Sequence, residues 1–298
     1  YVLSLTVDSE NKSSQRSRMK TFITKTYQIK TEKLKGGHPV RFAVLADLHG
    51  LVFGNENQDL FHAIEKSGAD AALVVGDMVV RADVSTVSAV TGFLCRLANR
   101  IPVFYALGNH EYEMLLNPDT SAEYLTYEHV LTNAGVCFLH NEHVCMNIRG
   151  TEFTFYGLEL PEEYYRKPFS PYPDRQDMRE LIGKPSGDGI SVLLAHNPKY
   201  GDVYFEWGAD FIFSGHYHGG ILRFNEHHGL TCPQYLLFPL YCCGDFHRQE
   251  QHMIVSAGLG EHTIPVRIHN PRELILAELV PDEGGPGGNT AQKTGGDS

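Results

Sequence analysis

No run of about 18 apolar residues occurs in the 298-residue chain, so no part of it reads as a helix that crosses a bilayer. The six cysteines (Cys95, Cys137, Cys145, Cys232, Cys242 and Cys243) include no C-x-x-C pair and are too sparse for a disulfide scaffold. They read as free, buried thiols. Cations are in the minority: 25 Lys+Arg face 36 Asp+Glu, a formal net charge of -11. Without a basic stripe, nucleic acid is not expected as a partner. No internal repeat is present, and the only low-complexity segment is the Gly-rich tail, residues 281–298, which we expect to be disordered. What remains is 42% hydrophobic and long enough to bury a sizeable core. An acidic protein acting on an anionic substrate must find positive charge locally, and a metal ion is the obvious source.

Charge is distributed unevenly. Residues 1–35 carry eight Lys/Arg, from Lys12 to Lys35, against Asp8, Glu10 and Glu32. The chain opens on Tyr1-Val2-Leu3-Ser4-Leu5-Thr6-Val7, which reads as the end of an apolar segment that would precede it. We therefore expect residues 1–38 to be a basic linker, suited either to an anionic lipid surface or to plain solvation. Residues 39–280 should form one folded domain.

Within that domain, short apolar runs alternate with amphipathic stretches, the pattern of an α/β (α+β) fold. Strands are expected at 41–46, 71–75 and 102–107, and helices at 57–67 and 85–99. Thr120-Ser121-Ala122-Glu123 has the form of a capping box opening a helix to about residue 133. The second half is richer in strands, expected at 136–140, 143–148, 152–156, 190–195, 210–213, 220–224, 252–257 and 274–280. An irregular stretch rich in Pro and Tyr separates Glu159 from Gly189, and loops of that length usually have a role.

The chemistry gathers where strands end. Five apolar strands run into Asp47-Leu48-His49, Gly76-Asp77, Gly108-Asn109-His110-Glu111, His196-Asn197-Pro198 and Gly215-His216-Tyr217-His218. The carboxyl ends of strands are where α/β sheets bind ligands. Imidazole, carboxylate and amide oxygen without thiolate suit Mn, Fe or Zn. Asp47, His49, Asp77, Asn109, His196, His216 and His218 exceed what one ion needs, but fit two if a carboxylate bridges. One intervening residue in each of Asp47-x-His49 and His216-x-His218 would turn both members to one side of an extended strand end.

In order and spacing this set resembles the calcineurin-like metallophosphoesterase superfamily over about residues 39–280. The runs His196-Asn197-Pro198, Gly215–Gly220, Val255–Gly260 and Ile264–Arg267 resemble a bacterial, membrane-associated phosphodiesterase branch related to UDP-2,3-diacylglucosamine hydrolases. The resemblance implies two packed mixed β-sheets flanked by helices. It implies two divalent metal ions, one held by Asp47, His49 and His218, the other by Asn109, His196 and His216, with Asp77 shared. A hydroxide between the ions would attack a phosphodiester or pyrophosphate, and His110 would act near the leaving group. The substrate would be a small phosphate ester or a lipid-linked one, and the domain would sit at a membrane or in the cytoplasm. Two positions depart from the pattern: Val80, followed by Arg81, stands where many relatives carry an acid, and Tyr217 stands where Thr is common.

Tyr164, Tyr165, Arg166 and Lys167 are candidates for substrate contact, aromatic faces covering a base or acyl group and cations holding a second phosphate. The apolar run Tyr235–Cys243 reads as core, with a lipid-facing lip as the alternative. Other histidines, His140 among them, read as surface or packing residues. A catalytically silent scaffold and a nuclease on the same fold are the competing functions.

Overall fold

The structure is a computed structural model that describes residues 21–81, 83, 85–166, 169–233, 235–261 and 266–282. The expected tail, from residue 283 on, and the first 20 residues of the expected linker lie outside them.

The chain order begins with β1 (Ile23–Thr31), β2 (Val40–Leu45), α1 (Gln58–Ser67), β3 (Ala71–Val75), α2 (Ser85–Ala98), β4 (Val103–Ala106), α3 (Asn109–Leu116) and α4 (Ser121–Asn133). It continues with β5 (Val136–Phe138), β6 (His143–Ile148), β7 (Thr151–Leu158), α5 (Arg175–Ile182), β8 (Ile190–Ala195) and α6 (Gly201–Trp207). Last come β9 (Phe211–Ser214), β10 (Gly244–Arg248), β11 (Gln251–Val255) and β12 (Glu273–Pro281). They form two mixed six-stranded sheets, β1-β12-β2-β3-β4-β5 and β10-β11-β9-β8-β7-β6.

The strand alternation explains the layers. In β3, Ala71, Leu73 and Val75 face the second sheet, whereas Ala72 and Val74 face α1 and α2. A strand buried on both faces reads as an unbroken apolar run, which is why β3 is visible in sequence. Between the sheets, Phe104 stacks on Phe155 at 4.0 Å and Phe42 meets Phe153 edge-on at 5.4 Å. Outside the second sheet, Tyr156, Met178, Tyr204 and Trp207 pack α5 and α6 against it. Among the described residues no helix is long and apolar enough to cross a membrane.

Several expectations are corrected. Ile23–Thr31, assigned to the linker, is an edge strand parallel to β12, with Ile23 opposite Glu273 and Thr31 opposite Pro281. Residues 220–224 form no strand; only the isolated bridges Leu222–Ile268 and Arg223–Gly229 occur there. The Thr120 hydroxyl donates to the Met114 carbonyl instead of capping α4. All six cysteines are free, but Cys145 is exposed and only Cys232, Cys242 and Cys243 are buried. The run from Tyr235 splits: Tyr241, Cys242 and Cys243 are core, whereas Tyr235–Phe238 and Leu240 are exposed.

Candidate metal centre

Strands β2, β3 and β4 run parallel, as do β7, β8 and β9, so their carboxyl ends open on the same rim of the sandwich. Asp47 and His49 follow β2, Asp77 follows β3, Asn109 and His110 open α3 after β4, His196 follows β8, and His216 and His218 follow β9. All but Asn109 offer ligand atoms to one cluster, but not through strand alternation. Asp47, His49, Asp77, His216 and His218 have φ of 52°, 48°, 54°, 67° and 48°, the left-handed region that side chains other than glycine seldom occupy. Each chain therefore turns sharply at its ligand-type residue, and strain of this kind persists where surrounding structure over-determines it.

The turns are tied to one another. The Asp47 N–H donates to Gly76 O and the His49 N–H to Asp77 O, each at 3.0 Å, and the Gly215 N–H donates to His196 O. Close approach requires glycine: a Cβ at Gly215 would lie 2.6 Å from Asp47 Oδ2, and one at Gly108 would overlap the Asp77 carboxylate.

The side chains converge in three groups, and His49, Asp77 and His110 form the one that links the other two. Asp47, His49 and His218 offer ligand atoms within 4.8 Å of one another, as do Asp77, His196 and His216. His49 Nε2 is 3.2 Å from His218 Nε2, and His196 Nε2 is 3.2 Å from His216 Nδ1. Asp77 lies between the groups, its Oδ2 3.1 Å from His196 Nε2 and 3.8 Å from His49 Nε2. His196 Nδ1 donates to Val75 O at 2.7 Å, which assigns the proton and leaves Nε2 facing the cavity with its lone pair. Asn109 Oδ1 is buried with no hydrogen-bond partner among the described residues. A buried amide oxygen without a donor, beside imidazole nitrogens whose lone pairs converge, fits a cation.

Electrostatics point the same way. Burial pushes the Asp47 carboxyl up to about 7, with His196 opposing and Asp77 adding to the rise. Burial also opposes ionisation of Asp77, but the neighbouring imidazoles, His196 foremost, outweigh it and hold this carboxyl well below the usual range. His196 rises to about 9 although burial works against it, because the Asp77 and Asp47 charges favour the protonated ring. Protons and metal compete for such lone pairs.

His110 stands at the edge of the cluster, its ring 4.7 Å from that of His49. Its N–H donates to Asp77 Oδ1 at 2.8 Å, and its Nδ1 accepts the Arg81 N–H at 3.2 Å. Where Val80 supplies no carboxylate, a backbone amide thus sets the tautomer and leaves the proton on Nε2. Of the substrate-contact candidates, Tyr165 comes closest to the cluster, its ring edge-on to His216 at 5.6 Å. Tyr164 turns away to Tyr200, whose hydroxyl donates to Tyr164 O at 2.6 Å. Arg166 is exposed, and Lys167 lies outside the described residues. Tyr217 is buried and lines a cavity with His218.

Glu111 was not singled out in the sequence. Fully buried, it accepts from the backbone N–H of Asp77 (2.8 Å), Met78 (2.6 Å) and Gly108 (3.1 Å) and from the Tyr105 hydroxyl (2.9 Å). One carboxylate thus clamps the turn that presents Asp77 to the turn that presents Asn109. Arg267 plays a comparable part opposite, donating to Ala257 O at 2.7 Å and Gly260 O at 2.6 Å, with Nη2 3.4 Å from His218 Nδ1.

Residues 40–220 match the family described as calcineurin-like phosphoesterase, which is more than half of the chain. An uncharacterized metallophosphoesterase of Aquifex aeolicus is 24% identical over 271 residues, 88% of this chain and 94% of the relative. The UDP-2,3-diacylglucosamine pyrophosphatase LpxG of Chlamydia trachomatis is 24% identical over 292 residues, 82% of this chain and 84% of the relative. Among solved structures, the phosphopantetheinyl hydrolase PptH of Mycobacterium tuberculosis has a TM-score of 0.45 and 15% identity, over 74% of this chain and 89% of that one. With the strand-end residues gathered at one rim, the match establishes the chain as a member of the calcineurin-like phosphoesterase family and a phosphoester hydrolase.

Proposed function

We propose that the chain is a dinuclear metal-dependent phosphodiesterase or pyrophosphatase. The observation that carries this reading is the convergence of Asp47, His49, Asp77, His196, His216 and His218, and the buried Asn109 Oδ1, which has no hydrogen-bond partner among the described residues, supports it. Asp47, His49 and His218 would hold one divalent cation and Asn109, His196 and His216 a second, with Asp77 common to both; the donor set suits Mn, Fe or Zn. Two such ions supply charge against the phosphoryl oxygens and an activated water.

The protein's own groups do the rest. Val75 O, accepting from Nδ1, holds the His196 ring in place. Glu111 fixes the Asp77 turn. His110, with its proton on Nε2, donates to the leaving-group oxygen or to the charge that develops there. Tyr165, whose ring meets that of His216, is a substrate contact, and Arg166 and Lys167 are proposed with it.

The substrate class we propose is a lipid-linked or nucleotide-lipid phosphoester, with the domain at a membrane surface. The basic residues ahead of β1 and the likeness to LpxG support this. Turnover of bis-p-nitrophenyl phosphate with added Mn²⁺ tests the chemistry. Wild type should turn it over, Asp77→Asn should be inactive, and His110→Asn should be slower by roughly 10²–10⁴ with metal retained. Normal turnover by Asp77→Asn would overturn the shared-ligand assignment.

A further inference from the structure

Beside the candidate metal centre lies a cavity with polar atoms that the hydrolytic chemistry does not use. His218 lines it, as do Tyr217, Ile221, Pro233 and Val266, so its walls are largely apolar. Its volume is about 70 Å³. A dry cavity that takes benzene has roughly 150 Å³, so this one suits a short chain and excludes a ring or a nucleobase. Two further side chains line it, Arg267 and Asn270. Asn270 is 3% exposed. Its Nδ2 donates to His218 O at 2.6 Å and to Gly220 O at 2.9 Å, which assigns the amide and leaves Oδ1 as an acceptor. That Oδ1 is buried with no hydrogen-bond partner among the described residues, and so is Arg267 Nε, a donor. Glycine at 219 keeps the space beside Oδ1 open, since a Cβ there would lie 2.5 Å from it.

Unmatched polar groups are costly in such a place, and this pair defines what would satisfy it. An ammonium only donates and a carboxylate only accepts, so either leaves one of the two unmatched, whereas a hydroxyl does both. The apolar walls call for carbon around that hydroxyl, and the volume limits the carbon to a short chain. His218 belongs both to the Asp47–His49–His218 group and to the cavity lining, so a phosphoester held at the metal centre can extend into the cavity. We propose that this cavity is the subsite for one substituent of the phosphoester, a short hydroxyalkyl group whose hydroxyl donates to Asn270 Oδ1 and accepts from Arg267 Nε. The proposal deepens the hydrolytic reading and rests on it for the placement of phosphorus. Tyr217 sets the width of the subsite, and any longer chain or base of the substrate lies outside it.

The test measures binding by calorimetry to the full chain equilibrated with Mn²⁺, with inorganic phosphate, 2-hydroxyethylphosphonate, ethylphosphonate and phenylphosphonate as probes. Wild type should bind 2-hydroxyethylphosphonate at least about tenfold more tightly than ethylphosphonate, because the ethyl group leaves both buried partners unmatched. Phenylphosphonate should bind more weakly than either. Ile221→Phe, which fills the cavity, should reduce the tenfold preference to less than about twofold. Tyr217→Thr, which widens it, should bring phenylphosphonate at least level with ethylphosphonate. Equal affinity of wild type for the hydroxyethyl and ethyl probes would mean that water satisfies Asn270 and Arg267, and would overturn the subsite. A preference that survives Ile221→Phe undiminished, or phenylphosphonate binding that Tyr217→Thr leaves unimproved, would overturn it too. Phosphate tests the underlying reading separately. If phosphate fails to bind, the metal-centre reading fails; a hydroxyethyl preference that persists would leave the subsite standing, and no binding by any probe would end both.

Discussion

The turn that carries Asp77 and the loop that leaves His218 are built in opposite ways. From Gly76 to Val79 every residue is buried and the backbone is bonded. The Asp77 and Met78 N–H groups go to Glu111, and the carbonyls of Gly76, Asp77 and Met78 accept from Asp47, His49 and Gly50. From residue 221 to 240 the described residues form isolated bridges instead of a ladder, and Phe224, Tyr235, Leu237, Phe238 and Leu240 are exposed. The first arrangement fixes an atom's position; the second presents a surface. Fixed position comes from buried polar groups that are fully satisfied, and such groups are costly to disturb.

Glu111→Ala should break the first region outright. It strands the buried N–H groups of Asp77, Met78 and Gly108, for which we expect a loss of roughly 3–5 kcal/mol, read from the denaturant midpoint. Tyr105→Phe removes a single donor to the same carboxylate and should cost about 1 kcal/mol. Equal effects would mean that the carboxylate does not organise the turn. Gly108→Ala keeps that hydrogen bonding but pushes a methyl group into the Asp77 carboxylate. Affinity for Mn²⁺ by calorimetry should fall by about tenfold to a hundredfold, as for other changes that misorient ligands.

A gentler contrast uses His140, which bonds Glu159 at 2.7 Å and Glu128 at 3.1 Å and so joins α4 to the start of the long segment after β7. The Glu159 hydrogen bond, opposed by partial burial, raises His140 to about 9. A histidine raised above its unfolded value of about 6.5 stabilises the fold fully below that pH and loses the contribution as pH climbs through about 9. Partial exposure screens the pair, so the wild type should exceed His140→Asn by about 1–2 kcal/mol near pH 6 and by little near pH 10. A gap that widened with pH would contradict the assignment. In the loop after His218, Leu237→Ser should shift the unfolding free energy by no more than about 0.5 kcal/mol, because an exposed side chain loses no core contact. A larger loss would make Leu237 part of the core.

Strands buried on both faces are legible because every position is apolar, as in Ala71–Val75 and Ile190–Ala195. β1 escapes the same reading. It is a half-exposed edge strand containing Lys25 and Lys30, so it has the charge pattern of a linker. The convergence of Asp47, His49, Asp77, His196, His216 and His218 is legible from their shared address at strand ends, although the expected strand alternation is replaced by left-handed turns. Glu111 was hidden for a different reason. A carboxylate that bonds the backbone of a turn 34 residues earlier in the chain leaves no local pattern. The run from Tyr235 was ambiguous because composition alone does not distinguish core from an outward-held surface.

Metal content measures the central claim most directly. Protein equilibrated with Mn²⁺, freed of loose ions and analysed by mass spectrometry should retain about two ions per chain, and Asp77→Asn no more than about one, if one carboxylate serves both positions. A wild type that retains one ion or none, or an Asp77→Asn variant that still retains two, would contradict the account.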